Sequence, residues 1–197
     1  MPGILYLVPT PIGNLGDLSD RIRQTLECAD FIAAEDTRVS LKLLNHLGLK
    51  KQLVSYYEHN RAESGPKILE RLLAGETCAL VTDAGTPAIS DPGEALVALC
   101  AEAGVPVCAI PGPCAVITAL AVSGLPTGRF TFEGFLSTSK KSRREHLESL
   151  RNERRTMIFY EAPHKLVQTL QDLSAAFGPD RRIALCRELT KLHEEIL

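Results

Sequence analysis

Three segments of this chain carry the residue types that shape backbone around a ligand: Pro9-Thr10-Pro11-Ile12-Gly13-Asn14-Leu15, Thr82-Asp83-Ala84-Gly85-Thr86-Pro87 and Pro111-Gly112-Pro113-Cys114-Ala115. Glycine lets a ligand approach the main chain closely, and proline fixes the loop before the ligand arrives. None of the three matches G-x-G-x-x-G or G-x-x-x-x-G-K-[ST], so the pattern argues against a pyrophosphate or triphosphate cradle and for a ligand without phosphates. Asp83 is placed to accept hydrogen bonds from ligand hydroxyl or ammonium groups, or else to cap a helix or turn.

Other clusters could do chemistry. Glu35 and Asp36, followed by Arg38, form a compact polar group that reads either as catalytic acids or as an Asp–Arg ion pair holding a loop. Tyr56-Tyr57-Glu58-His59-Asn60 offers aromatic faces to unpaired bases, or plain surface packing. Lys140, Lys141, Arg143, Arg144, Arg151, Arg154 and Arg155 concentrate positive charge. Glu145, Glu148 and Glu153 interleave with them, including Arg144–Glu148 at i, i+4, so a solvated, salt-laced face competes with phosphate contact. The cysteines at 28, 78, 100, 108, 114 and 186 contain no C-x-x-C pair, and most lie in apolar runs, which predicts core packing and no metal.

The loops need strands and helices to aim them, and the apolar pattern supplies both. Ile4–Val8, Phe31–Ala34, Leu53–Val54, Cys78–Val81 and Val107–Ile110 read as strands. They alternate with helical patterns at Leu18–Ala29, Ser40–His46, Lys67–Ala74 and Glu94–Ala103, which predicts a mostly parallel sheet covered by helices. Gly48, Gly75 and Gly104 each follow a helical run, where a residue of positive φ is wanted. In such sheets ligands bind beyond the carboxyl ends of the strands, where the three loops fall.

After Pro111-Gly112-Pro113 the pattern restarts, so the expected domains are 1–113 and a smaller mixed α/β domain, 114–197. The second holds a helix through Val122, a strand Phe130–Phe135, a polar helix Ser142–Asn152, a strand Met157–Tyr160, a helix Pro163–Phe177 and a strand Ile183–Cys186. The sequence stops at Glu194-Glu195-Ile196-Leu197 without a turn or solvated tail, which predicts that this domain is cut short. Residues 1–113 carry 9 Lys and Arg against 14 Asp and Glu, whereas 114–197 carry 13 against 10, so a near-neutral total conceals a basic second half. No apolar run approaches the roughly 20 residues of a membrane span, and the N-terminus lacks a signal-peptide pattern, which predicts a cytoplasmic protein.

Taken in order, Leu7-Val8-Pro9-Thr10-Pro11-Ile12-Gly13-Asn14-Leu15, Ala34-Glu35-Asp36-Thr37-Arg38, Thr82–Gly93 and Phe159-Tyr160-Glu161-Ala162-Pro163-His164 resemble the ribosomal RNA small subunit methyltransferase I family, within the tetrapyrrole methylase superfamily. The resemblance runs over essentially the whole chain and implies a two-domain α/β fold, S-adenosylmethionine in the cleft between domains, and a homodimer. It puts cofactor contacts on Asp83, Ala84 and Gly85, on Cys114, Ala115 and Val116, and on Phe159, Tyr160 and Glu161. Pro11 joins them from the first loop, where the superfamily usually has a glycine-proline-rich segment.

The implied reaction is 2′-O-methylation of a cytidine in small-subunit ribosomal RNA. A ribose hydroxyl is a weak acid, so a general base is wanted. Candidates are Glu35, Asp36, His59, Glu161 and His164, with Glu35, Asp36, Arg38 and Glu161 taken as the catalytic set. RNA contacts are expected from Tyr56, Tyr57, His59, Lys140, Lys141, Arg143 and Arg144. The rival readings are a methylase of tetrapyrrole or corrinoid precursors and a non-catalytic RNA-binding module.

Overall fold

Phe31-Ile32-Ala33-Ala34 and Cys78-Ala79-Leu80-Val81 are continuous apolar runs, the pattern of strands covered on both faces. In the computed structural model, which describes residues 1–197, they form β2 (Phe31–Ala34) and β4 (Cys78–Val81), every residue of which is buried. Side chains alternate between two cores. Phe31, Ala33, Cys78 and Leu80 pack with Leu5, Ile68, Leu72 and Leu96, whereas Ile32, Ala34, Ala79 and Val81 pack with Val8, Ile22, Leu26 and Leu44. Full burial of each large aliphatic side chain contributes about 1.5–3 kcal/mol.

β1 (Leu5–Leu7), β3 (Gln52–Ser55) and β5 (Val107–Ala109) complete a sheet of order β3-β2-β4-β1-β5. Every pairing is parallel, so all five carboxyl ends lie along one edge. Helices α1 (Asp20–Cys28) and α2 (Thr37–Leu47) cover one face through Ile22, Leu26 and Leu44. The other face lies under α3 (Arg61–Leu73) and α4 (Gly93–Glu102), through Ile68, Leu72, Leu96 and Cys100. The Ser19 hydroxyl accepts from the Ile22 amide to start α1, and Gly48 ends α2 at φ +69°.

Helix α3 begins six residues before the expected Lys67, because Gly65-Pro66 reads as a break and is not one. Pro66 lies inside the helix, where it removes one backbone donor. Gly65 is buried, and a Cβ there would stand 3.1 Å from Leu99 Cδ1 and 3.7 Å from Tyr56 Cε2. Tertiary packing on α4 and Tyr56 outweighs the local propensity.

The chain divides into two units, Met1–Ala115 and Val116–Leu197. In the second, α5 (Ala115–Val122) leads to β6 (Phe130–Phe135) and β7 (Thr156–Tyr160), a parallel pair crossed by α6 (Lys140–Ser149). Helix α6 starts two residues before the expected Ser142 and stops at Ser149 rather than Asn152. The β6–β7 register shifts between Phe132 and Gly134, leaving Glu133 as the bulged residue of β6, where its carboxylate lies 3.0 Å from His146 Nε2. Pro163–Lys165 forms a 3-10 turn before α7 (Leu166–Phe177). The strand expected at Ile183–Cys186 is instead β8 (Cys186–Arg187), antiparallel to β9 (Glu195–Ile196). Pairing extends back only to Leu185, whose main chain exchanges hydrogen bonds with Leu197, so Ile183 has no strand to join. No helix is long and apolar enough to cross a membrane.

Candidate active site

β4, β1 and β5 are neighbours, so the three Gly/Pro loops leave the sheet side by side. They are laced together by their own atoms. The Thr10 and Gly85 main chains exchange two hydrogen bonds of 3.0 Å, and the Thr10 hydroxyl donates to the Thr82 carbonyl at 3.0 Å. Thr86 Oγ1 donates to the Pro113 carbonyl at 2.8 Å. Gly85 sits at φ +91°, and a Cβ on it would meet Ile12 Cγ2 at 3.3 Å and the Pro113 carbonyl at 3.8 Å. At Gly112 a Cβ would meet Pro9 at 2.9 Å. The three loops thus brace one another through their own atoms, with the Gly85 main chain buried in that lacing and Ala84 exposed beside it.

The acids gather where β2 and β4 end. Thr82 Oγ1 donates to Glu35 Oε2 at 2.7 Å, and the Asp36 amide donates to Asp83 Oδ1 at 3.1 Å. Asp83 is therefore neither a helix cap nor a turn cap of its own loop; it reaches the adjacent strand end. Desolvation there raises its pKa from the ordinary value, with Glu35 and Asp36 adding to the rise against the lowering effect of the Asp36 amide. Asp36 caps α2 by accepting from the Arg38 amide at 2.8 Å, and its carboxylate also takes the Arg38 guanidinium at 2.6 Å. Those bonds hold its pKa at about 2, which makes Asp36 a poor proton acceptor and leaves it the loop-holding ion pair. Glu35 engages one carboxylate oxygen only, with Thr82.

Further along, Asp91 Oδ1 accepts from the amides of Ala88 and Gly93 at 2.9 and 2.8 Å, closing a loop in which Ala88 and Ser90 both adopt positive φ. Sequence reading missed Thr10, Thr82 and Asp91. The signal for Asp91 was its place ahead of Pro92-Gly93 at a helix start.

The aromatic loop after β3 divides in two. Tyr56 is 1% exposed and its hydroxyl donates to the Pro92 carbonyl at 3.2 Å, so it has no face to offer a base; this corrects the RNA-binding expectation. Tyr57 and His59 are exposed, with ring centroids 6.2 Å apart edge to face.

In the second unit, Tyr160 packs on Phe132 and Phe135 with ring centroids 5.0 and 5.4 Å away. Val116, in the first turn of α5, is 5% exposed. Both carboxylate oxygens of Glu161 are engaged within the second unit. Oε1 accepts from the Ala162 amide at 2.7 Å, Oε2 accepts from the Thr169 hydroxyl at 2.5 Å, and Arg143 lies 3.8 Å away. Desolvation opposes its charge, but the Thr169, Ala162 and Arg143 contacts prevail and lower its pKa. Arg143 is likewise no free phosphate ligand: only 15% of its side chain is exposed, and it donates to Asp172 at 2.6 Å. Lys140, Lys141 and Arg144 are exposed on α6. The expected Arg144–Glu148 pair is absent, since Glu148 bonds Arg151 at 3.2 Å. His164 is exposed in the 3-10 turn.

The sequence matches the model of the Tetrapyrrole (Corrin/Porphyrin) Methylases over residues 4–197. It is 54% identical to the Ribosomal RNA small subunit methyltransferase I of Synechocystis, over 98% of this chain and 69% of that one. The Escherichia coli O157:H7 protein of the same name is 49% identical, over 98% and 68%. This chain belongs to the ribosomal RNA small subunit methyltransferase I family of tetrapyrrole methylases. The tetrapyrrole methylase fold is equally plain in the structure. Uroporphyrin-III C-methyl transferase from Thermus thermophilus, solved with S-adenosylhomocysteine, superposes with a TM-score of 0.65 at 20% identity, covering 99% of this chain and 87% of that one.

Proposed function

We propose that this chain transfers a methyl group from S-adenosylmethionine to the 2′-hydroxyl of a cytidine in small-subunit ribosomal RNA. The observation that carries the reading is identity of 49–54%, over 98% of the chain, to proteins named for small-subunit ribosomal RNA methylation. The residues of the first unit suit the cofactor. The cradle has no phosphate signature, Asp83 and Ala84 stand exposed beside the buried Gly85, and the Asp83 carboxylate suits hydroxyl or ammonium groups. Pro11, Asp83, Ala84, Gly85, Cys114 and Ala115 would hold it, and Val116, Phe159 and Tyr160 of the second unit keep the cofactor role that the resemblance gives them.

S-adenosylmethionine supplies an electrophilic methyl on a sulfonium. Glu35 is the acid left to take the proton from the attacking ribose hydroxyl, because Asp36 is spent on Arg38 and Glu161 on Thr169 and Ala162. Holding the reactants in a near-attack geometry supplies about 7–11 kcal/mol of such a barrier. Tyr57 and His59 offer stacking faces to an unpaired base, and Lys140, Lys141 and Arg144 offer charge to phosphates. The homodimer implied by the resemblance and the cytoplasmic location expected from the sequence belong to the same reading, and sedimentation of the purified protein tests the dimer.

The deciding experiment offers radiolabelled S-adenosylmethionine with small ribosomal subunits, free ribosomal RNA and a corrinoid precursor. Label in RNA that resists alkaline cleavage at one cytidine is the expected result. Label in the corrinoid alone would make the chain a tetrapyrrole methylase, and RNA binding without transfer would make it a binding module. Replacing Lys140, Lys141 and Arg144 together by Gln is expected to flatten the salt dependence of RNA binding by about 2–3 in slope, close to one counterion per lost phosphate contact. Parallel slopes would return that face of α6 to solvent.

A further inference from the structure

Helix α6 buries little apolar surface: Leu147 alone among its residues is fully inside. Its inward face is made instead of Arg143 and His146, each set against acids. The Arg143 guanidinium spreads over three groups. Nε donates to Asp172 Oδ2 at 2.6 Å, Nη2 donates to Thr169 Oγ1 at 2.7 Å, and Nη1 lies 3.8 Å from Glu161 Oε2. Thr169, 3% exposed, passes its own proton toward Glu161 Oε2 at 2.5 Å, while Glu161 Oε1 takes the Ala162 amide at 2.7 Å. Gln168 completes the set by donating to Asp172 Oδ1 at 3.0 Å. An unbroken run of hydrogen bonds therefore joins α6, through α7, to the main chain that follows β7.

We infer that Arg143 is a positioning residue for the β7 end, holding Glu161 and the Ala162 amide so that Phe159–Glu161 keeps the shape in which it meets the cofactor. The inference rests on the proposed methyltransferase reading. Its physical ground is the low exposure of the network: side chains are 15% exposed at Arg143 and 11% at Glu161. A flat, always-charged fork satisfies two carboxylates and a hydroxyl at once, which a lysine ammonium matches only in charge. Without it Glu161 and Asp172 repel, and the turn they brace is free to swing.

The test compares Arg143→Met, Arg143→Lys and Thr169→Val with the parent protein, measuring kcat and KM separately for S-adenosylmethionine and RNA. Arg143→Met and Thr169→Val are expected to raise KM for S-adenosylmethionine about tenfold, the loss of one charge-assisted bond, with KM for RNA unchanged. Arg143→Lys is expected to fall between parent and Met. Combining the two variants is expected to cost less than the sum, because both cut the same chain of bonds. A role in packing alone would instead lower kcat with the folded fraction and leave both KM values at parental levels, which overturns the inference. So would a drop of about 0.9 in the RNA salt slope for Arg143→Met, the mark of a phosphate ligand. Hydrogen exchange at the Ala162 amide gives a readout independent of activity: faster exchange in Thr169→Val is expected, and unchanged protection overturns the inference. Thr169→Val carries the same expectations should Arg143→Met fail to fold. A parent that transfers no label refutes the methyltransferase reading and leaves the exchange measurement to judge the turn.

Discussion

At the ends of β2 and β4 each of three carboxylates accepts from main-chain amides, Asp83 from Asp36, Asp36 from Arg38, and Asp91 from Ala88 and Gly93, while Asp36 also holds the Arg38 guanidinium and Glu35 takes the Thr82 hydroxyl. At the end of β7, Asp172 accepts from Arg143 and Gln168 side chains, and Glu161 from Thr169 as well as one amide. The first arrangement ties acids to a backbone that the parallel sheet already fixes. The second sets three ionised groups, one cation between two anions, against a two-stranded sheet and a polar helix. Removing a charge from the first leaves an acceptor in place, whereas removing the cation from the second strands two carboxylates. The two strand ends should thus respond to substitution in different currencies, shape in one and charge balance in the other.

The largest expected effect falls on the second. Arg143→Met leaves Glu161 and Asp172 without their common partner at 11% and 29% exposure, and breaking such a pair costs about 3 kcal/mol of stability. Denaturant unfolding monitored at Tyr160 or by hydrogen exchange in α7 reads it. A loss no larger than that of an exposed pair, about 0.5 kcal/mol, would erase the contrast.

Next comes Asp83→Asn, which keeps an oxygen for the Asp36 amide but removes the charge offered to the ligand. Cofactor affinity is expected to weaken by about 1.5–3 kcal/mol, with the melting temperature near that of the parent. Calorimetry with S-adenosylhomocysteine checks it. Unchanged affinity in a folded protein would assign Asp83 to bracing β2 against β4 and nothing more.

The same contrast explains what could be read in the sequence. The order of strands and helices follows from short continuous apolar runs alternating with helical stripes, and the cradle follows from Gly and Pro at strand ends, so the element order of the first unit was legible, apart from the start of α3. Side-chain direction on weakly amphipathic elements was not. In Lys140-Lys141-Ser142-Arg143-Arg144 nothing local says which cation turns inward, because only Leu147 marks the buried face. β3 has exposed and half-buried residues without a two-sided pattern, so it gave no phase from which to tell Tyr56 from Tyr57. The bonding of Glu161 to Thr169 spans eight residues and a turn, and only the fold supplies it.

Tyr56 and Tyr57 sharpen the point at a smaller scale. Tyr56→Phe leaves the Pro92 carbonyl without its buried donor and is expected to cost about 1 kcal/mol of stability, with RNA affinity unaltered. Tyr57→Ala is expected to do the reverse, weakening RNA binding by about 1–3 kcal/mol if one base stacks there, at a stability cost below about 0.5 kcal/mol. Thermal melts and RNA titrations on both variants separate the roles. Equal effects on RNA would mean that the loop acts as a unit.

The smallest expected effect carries the sharpest test of shape against charge. Both amides that reach Asp91 bond the same oxygen, Oδ1, so Asp91→Asn can keep the Ala88 and Gly93 bonds. Desolvation raises the Asp91 pKa above its ordinary value, opposed by the Gly93 and Ala88 amides and, least, by Ile89. A carboxyl whose folded pKa is raised contributes stability that is fully present below the unfolded pKa, about 3.9, and is lost as pH rises through the folded value. An asparagine carries no such loss. Asp91→Asn is therefore expected to match the parent near pH 3.5 and to become the more stable protein as pH climbs past it, by less than about 1 kcal/mol at pH 7. Unfolding midpoints measured across that pH range decide it. A variant weaker than the parent by about 1 kcal/mol or more at pH 7 would mean that the charge itself holds the Ala88–Gly93 loop, and that the two strand ends are built on the same principle after all.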